Sequence, residues 1–334
     1  MLHVLYALMP GTIVMCLFFG WGILFNVLLS ITFALVLEAI ALKIRQRPIM
    51  PFLSDMSAIT AAWLFALTLP PLVPWWIVFV GIFFAIIVAK QLYGGLGYNP
   101  FNPAMVGYAV LIVSFPFEMS QWINPNNPLL SFTESLSFVF GTSNTEWDAI
   151  TMATPLDEVK TGLRATIAYS SIINESENLA NITQNAWFWS SLAFAGGGLW
   201  MLYKKIIHWQ IPVSVIASLA LLSSVFYVFS PENFASPLLH IISGATILGA
   251  FFIATDPVSA STTPMGKIIY GACIGALIYI IRTWGNYPDA VAFAVIILNM
   301  AVPLIDYYTQ PRVLGHGKNP RQKNSDSDIN KGTD

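Results

Sequence analysis

One run of this chain carries the side chains of a chemical site: Asp148-Ala149-Ile150-Thr151-Met152-Ala153-Thr154-Pro155-Leu156-Asp157. A threonine hydroxyl is a weak nucleophile that an adjacent base or a dedicated enzyme must activate. Here Thr154 sits between two carboxylates in a polar segment, where a modifying enzyme can reach it. Pro155 fixes the backbone after it and biases Thr154 toward an extended, accessible conformation.

Other reactive side chains are scattered. Cys16 and Cys273 lie in apolar runs far apart, so neither a disulfide framework nor a four-thiolate iron–sulfur site can be built from this chain alone. His3, His208, His240 and His316 form no pair at a haem-ligating spacing. The run Gly94-Gly95-Leu96-Gly97-Tyr98-Asn99-Pro100 lacks the strand–loop–helix context and the following lysine of a phosphate loop. It reads as backbone chemistry for close packing or a re-entrant turn.

The elements that must position Thr154 are membrane helices. Apolar residues make up 56% of the chain and charged residues 10%, against roughly 25% charged in soluble domains. Net charge is −2, with no concentrated basic face for nucleic acid. Runs of about 17 to 25 apolar residues can satisfy their own backbone in hydrocarbon. The expected class is an all-α integral membrane protein with about ten transmembrane helices in two five-helix repeats. The spans fall at 2–19, 22–42, 56–70, 75–90, 104–117, 186–203, 211–229, 238–254, 267–282 and 289–307, the third and fifth being short. The first reads as a retained helix and not as a cleaved signal.

Lysine and arginine orient the bundle. With both termini cytoplasmic, twelve of the fifteen basic residues fall inside, and only Lys160, Arg164 and Arg282 fall outside. The expected organisation is a first membrane half (1–117), an extracytoplasmic loop carrying Thr154 (118–185), a second half (186–307) and a disordered cytoplasmic tail (308–334). The loop holds eight acidic residues against two basic ones.

Ser57-Ala58-Ile59-Thr60 matches Ser243-Gly244-Ala245-Thr246, and Asn102 to Val110 matches Tyr287 to Val295. The second copy starts outside, so the repeats are inverted, with interrupted helices of the kind that surround midplane sites in transporters. A charge at mid-bilayer costs about 2.5 to 3.5 kcal/mol on insertion scales. Glu38 is expected to snorkel toward Lys43, Asp55 to cap a helix, and Asp256 and Asp289 to sit at helix ends.

Several ordered motifs together resemble the RnfD/NqrB family of membrane electron-transport subunits, over nearly the whole chain. They are Lys90 to Gly97, Asn99 to Met105, Thr151 to Asp157, Ser243 to Thr246 with Thr255 to Val258, and Pro303 to Tyr308. The resemblance implies flavin mononucleotide (FMN) joined through its phosphate to the hydroxyl of Thr154. A separate Mg-dependent flavin transferase would install it by cleaving flavin adenine dinucleotide, with Asp148 part of what that enzyme recognises. It also implies a second, non-covalent flavin, riboflavin, which no residue locates. The implied partners are the other Rnf/Rsx subunits, the transferase and lipid, in a bacterial inner membrane. Thr246 is a rival acceptor, because the Ser243–Thr246 tetrapeptide resembles the flavin site of the related sodium-pumping subunit. Its position in an apolar helix, and His240 where an aspartate would stand, favour Thr154. On the residues alone, a secondary transporter or channel built on the same repeat remains the alternative, as does a structural anchor without chromophore.

Overall fold

The computed structural model describes residues 1–125, 127–142, 150–176, 179, 185–287 and 289–310. In chain order the first part comprises α1 (Leu2–Phe19), α2 (Trp21–Ile44), the short α3 (Ile49–Leu53) and α4 (Ser57–Ala66). It continues with α5 (Trp75–Phe83), which runs on as a π-helical stretch over Phe84–Gln91, and α6 (Pro103–Ser114). The connecting segment holds α7 (Pro116–Ser120), β1 (Trp122–Ile123), α8 (Phe132–Val139), β2 (Thr151–Met152), α9 (Pro155–Arg164) and α10 (Tyr169–Glu175). The last part comprises α11 (Ala186–Tyr203), α12 (Gln210–Phe229), α13 (Pro237–Ile242), α14 (Thr246–Leu248) with a π-helical continuation over Gly249–Ile253, α15 (Pro264–Trp284) and α16 (Val291–Thr309).

Among the described residues, α1, α2, α12, α15 and α16 are each long and apolar enough to cross a membrane, and shorter apolar helices accompany them. The chain is a multi-pass membrane protein. As expected, the third and fifth spans are short: α4 has 10 residues and α6 has 12. Helices are drawn together where side chains are small. A Cβ on Gly197 of α11 would sit 2.0 Å from the Ala7 carbonyl of α1, so any larger residue would push the two helices apart.

Two expectations need correction. The eighth span, expected as one helix over 238–254, is broken between α13 and α14. Ser243 is extended and Gly244 is left-handed at φ +67°, a region that a Cβ disfavours. Polar groups freed inside hydrocarbon need partners, and here Asp289 Oδ2 accepts the Ala245 N–H at 2.8 Å while Arg282 donates to the His240 carbonyl at 2.7 Å.

Glu38, the second correction, does not snorkel toward Lys43. It is 1% exposed and its Oε1 accepts from Lys90 at 2.6 Å and from Gln91 at 2.9 Å. A buried carboxylate is tolerated when a cation and further donors surround it. Lys90 is also buried, and completes its shell on Ser57 Oγ at 2.7 Å.

The remaining carboxylates behave as end groups. Asp55 accepts the Ser57 N–H at 2.7 Å, Asp256 accepts from Ser259 Oγ at 2.8 Å, and Asp289 accepts the Ala290 N–H at 2.8 Å. The Gly94–Gly97 run is a turn in which Gly94, Gly95 and Gly97 all have positive φ, tied to the end of α2 by Arg47 donating to the Gly94 carbonyl at 3.1 Å.

In both matched copies a buried cation near the end of the following helix holds the serine-led segment. Lys90 bonds Ser57, and Arg282 bonds Thr246 Oγ1 at 2.8 Å.

Candidate functional site

Thr154 is the N-cap of α9. Its backbone is extended at φ −69° and ψ 156°, and its Oγ1 accepts the Asp157 N–H at 3.3 Å. Pro155 occupies the first helical position, where its missing N–H costs nothing. A capping oxygen faces the unsatisfied N–H groups and positive dipole end of the helix, a favourable place for a phosphate ester. Asp157 and Glu158 in the first turn oppose that field.

Chain on both sides of Thr154 is fixed. Before it, β1 and β2 pair antiparallel, with Trp122 opposite Met152 and Ile123 opposite Thr151. Beyond it, α9 is clamped to the end of α15: Lys160 donates to the Tyr287 carbonyl at 2.5 Å and Arg164 to the Gly285 carbonyl at 2.6 Å. Leu156 rests on Gly244, where a Cβ would come within 2.7 Å of Leu156 Cδ1. Burial, then the like charge of Arg164, against the attraction of Asp157 and with further repulsion from Arg282, holds the Lys160 ammonium down at about 8.

Thr154 lines a cavity of about 300 Å³ that reaches inward among α1, α6, α11 and the break at Gly244-Ala245. Its other walls include Trp122, Trp187, Tyr108, Phe194, Tyr287 and Asp289. Trp122 and Trp187 lie 4.8 Å apart between ring centroids, and Phe19 supports Trp187 at 5.0 Å. Such a lining, mostly apolar and aromatic with a few polar groups, has the character of a site for a planar aromatic ligand.

Thr246 is in the opposite situation. It is 0% exposed, and its Oγ1 donates to the His240 carbonyl at 2.8 Å while accepting from Arg282. Its hydroxyl is therefore enclosed by its bonding partners. Asp148 lies outside the described residues, as does the tail beyond residue 310.

Several of the matched segments and motifs, which the sequence alone does not bring together, line a second cavity of about 200 Å³: Ser57, Thr60, Lys90, Asn99, Asn102 and Asp256. Asn99 Oδ1 is buried without a partner, and Asn102 Nδ2 donates to the Ile253 carbonyl at 3.2 Å. Phe252 faces this cavity and Phe194 faces the first, their ring centroids 6.2 Å apart. The π-helical stretch Gly249–Ile253 therefore partitions the two, a local geometry often found at functional sites. Lysine within the apolar run before Gln91 was the available signal.

Comparison with known proteins agrees with this architecture. The family model described as the NQR2, RnfD, RnfE family matches residues 1–315. A protein of Aliivibrio salmonicida, named as a subunit of an ion-translocating oxidoreductase complex, is 50% identical over 325 residues, covering 93% of this chain and 92% of its own. Proteins of the same name from Vibrio vulnificus and Escherichia coli are 49% and 47% identical over 331 residues, covering 92% and 95% of this chain and 92% and 94% of theirs. With its membrane helices, its ordered motifs and these relatives, the chain belongs to the NQR2, RnfD, RnfE family.

Proposed function

We propose that this chain is the membrane electron-transfer subunit of a multi-subunit, ion-translocating oxidoreductase of the Rnf/Rsx type, carrying FMN covalently on Thr154. The observation that carries this reading is the contrast between two threonines of similar motif. Thr154 lines an aromatic cavity with its hydroxyl at a helix N-terminus, whereas Thr246 is sealed by Arg282 and two carbonyls. The name its relatives bear, that of a subunit of an ion-translocating oxidoreductase complex, supports the same assignment.

Attachment requires a separate flavin transferase. Thr154 Oγ1 would attack the flavin-side phosphorus of flavin adenine dinucleotide, the bond to the adenylate would break, adenosine monophosphate would leave, and the hydroxyl proton would pass to the transferase. Asp148 would serve in recognition. Once bound, the flavin supplies one- and two-electron redox chemistry. The chain's own residues then do the rest. Thr154 tethers the phosphate at the N-terminus of α9, Trp122, Trp187 and Tyr108 wall the ring, and the apolar lining excludes water. The subunit acts within its complex and not as an enzyme alone.

Placed in a bacterial inner membrane with both termini cytoplasmic, the loop that carries Thr154 faces outward. With the basic residues inside, the second cavity, lined by Lys90, lies on the cytoplasmic side, and we assign the non-covalent riboflavin to it. Riboflavin lacks the phosphate and needs no tether. Asn99 Oδ1, buried and without a partner among the described residues, would accept a hydrogen bond from the pyrimidine edge or ribityl chain of riboflavin. The partners of the chain are the other Rnf/Rsx subunits and the surrounding lipid. A secondary transporter or channel of the same architecture would have no use for an accessible acceptor threonine.

In-gel ultraviolet fluorescence of the denatured chain, produced with its transferase, tests the acceptor. Wild type and Thr246→Ala are expected to fluoresce and Thr154→Ala to be dark. Fluorescence that survives in Thr154→Ala and disappears in Thr246→Ala would overturn the assignment.

A further inference from the structure

Lys160, Arg164 and Arg282 are the three basic residues that depart from the charge bias of this chain, and they meet in one place. They line a third cavity, of about 230 Å³, on the face that carries the long connecting segment. Neither Lys160 nor Arg164 has a carboxylate within ion-pair distance among the described residues. Among the described residues, Lys160 donates to the carbonyls of Ile281 and Tyr287, and Arg164 to the Gly285 carbonyl and Asn286 Oδ1. Neutral acceptors satisfy hydrogen bonds but leave the charge uncompensated. Of the neighbouring carboxylates, Asp289 pairs with Arg282 at 3.0 Å and Glu158 accepts from Ser176 at 2.9 Å, while Asp157 attracts Lys160 from beyond ion-pair distance and is outweighed by burial and the like charge of Arg164.

Arg282 itself and one further lining residue, His240, carry buried polar atoms with no partner among the described residues. Arg282, 4% exposed, has an unpartnered Nε, and His240, 6% exposed, an unpartnered Nδ1. Unsatisfied buried groups are uncommon enough to call for a ligand or water. The rest of the lining includes the apolar Leu163, Phe234, Leu239 and Trp284. Trp284 is exposed at the end of α15, the position of an aromatic residue at a membrane interface. Cations beside an apolar wall at interface depth match an amphiphile with a negative head.

We propose that this cavity binds the phosphate of an anionic phospholipid from the leaflet on that face, its chain lying against Phe234 and Trp284. Lys160 and Arg164 meet the phosphate, and its binding fastens α9 to the end of α15. The proposal stands on the charge arrangement and not on any flavin.

The test uses the full-length protein within its complex, delipidated and titrated with phosphatidylglycerol or phosphatidylcholine, with retained lipid read by native mass spectrometry. Phosphatidylglycerol is expected to be preferred by about tenfold or more, and Lys160→Gln with Arg164→Gln to abolish the preference. Equal retention of the two lipids, or a preference unchanged in the double variant, would overturn it. So would thermal protection by inorganic phosphate alone equal to that by phosphatidylglycerol, since the occupant would then be a free ion. Should the double variant not fold, a diazirine-tagged phosphatidylglycerol on the wild-type complex decides. Its adducts are expected within residues 156–164, 233–239 or 282–284, and adducts confined elsewhere would contradict the site.

Discussion

Thr154 and Thr246 show how little a motif says until burial is known. Both follow an alanine, but one caps a helix beside a cavity and the other is locked into a helix break. That Thr154 lies on a polar segment is legible in the sequence, because its neighbours are carboxylates and a proline. The enclosure of Thr246 is not, since the enclosing group, Arg282, is 36 positions away. Asp148→Ala is expected to reduce flavin attachment while membrane insertion, followed by fractionation, stays normal; unchanged labelling would refute a recognition role. Lys160 supplies a pH test. Its proton is held more weakly in the folded protein, about 8 against an ordinary 10.5, so between these values the unfolded chain binds more protons and stability rises with pH. Melting temperatures of the detergent-purified protein are expected to climb over that window relative to Lys160→Met, and identical profiles would contradict the burial of this ammonium.

At the scale of elements, the length of the apolar runs locates long helices such as α1, α2 and α12, and the irregularities escape it. A π-helical continuation such as Phe84–Gln91 or Gly249–Ile253 has the composition of an ordinary apolar helix; what marks it is where hydrogen bonds go. The break at Ser243–Ala245 has a local cue in Gly244, whose left-handed backbone and contact with Leu156 leave no room for a side chain. Gly244→Ala is expected to cost about 1 to 3 kcal/mol from the strained backbone and to loosen α9, seen as faster limited proteolysis of the connecting segment. The Glu38–Lys90 pair is hidden from the sequence because spacing along one helix says nothing of a partner on another. Removing one member leaves a buried charge and is expected to cost about 3 to 5 kcal/mol, whereas replacing both by apolar residues recovers most of it. Melting temperatures of Glu38→Leu, Lys90→Met and the double variant check this, and strictly additive losses would contradict direct pairing.

For the whole molecule, the charge bias and the two matched copies suggest a pair of inverted halves, and the cation-held segments at Ser57 and Thr246 give that idea physical content. Cavities are not legible in the sequence, because each is lined by residues from several helices and is defined by side chains that stop short of one another. The proposed orientation has a direct check in cells carrying Cys16→Ala and Cys273→Ala. A membrane-impermeant thiol reagent is expected to label Ser170→Cys and to spare Arg47→Cys in intact cells; the reverse pattern would invert the bundle.

The central claim is a phosphoester on one hydroxyl, and peptide mass spectrometry of the native subunit, from cells that possess the transferase, reads it most directly. The peptide spanning Thr151 to Arg164 is expected to carry the mass of one FMN less water, with fragment ions placing it on Thr154. An unmodified peptide there, or the same added mass on the peptide containing Thr246, would contradict the account.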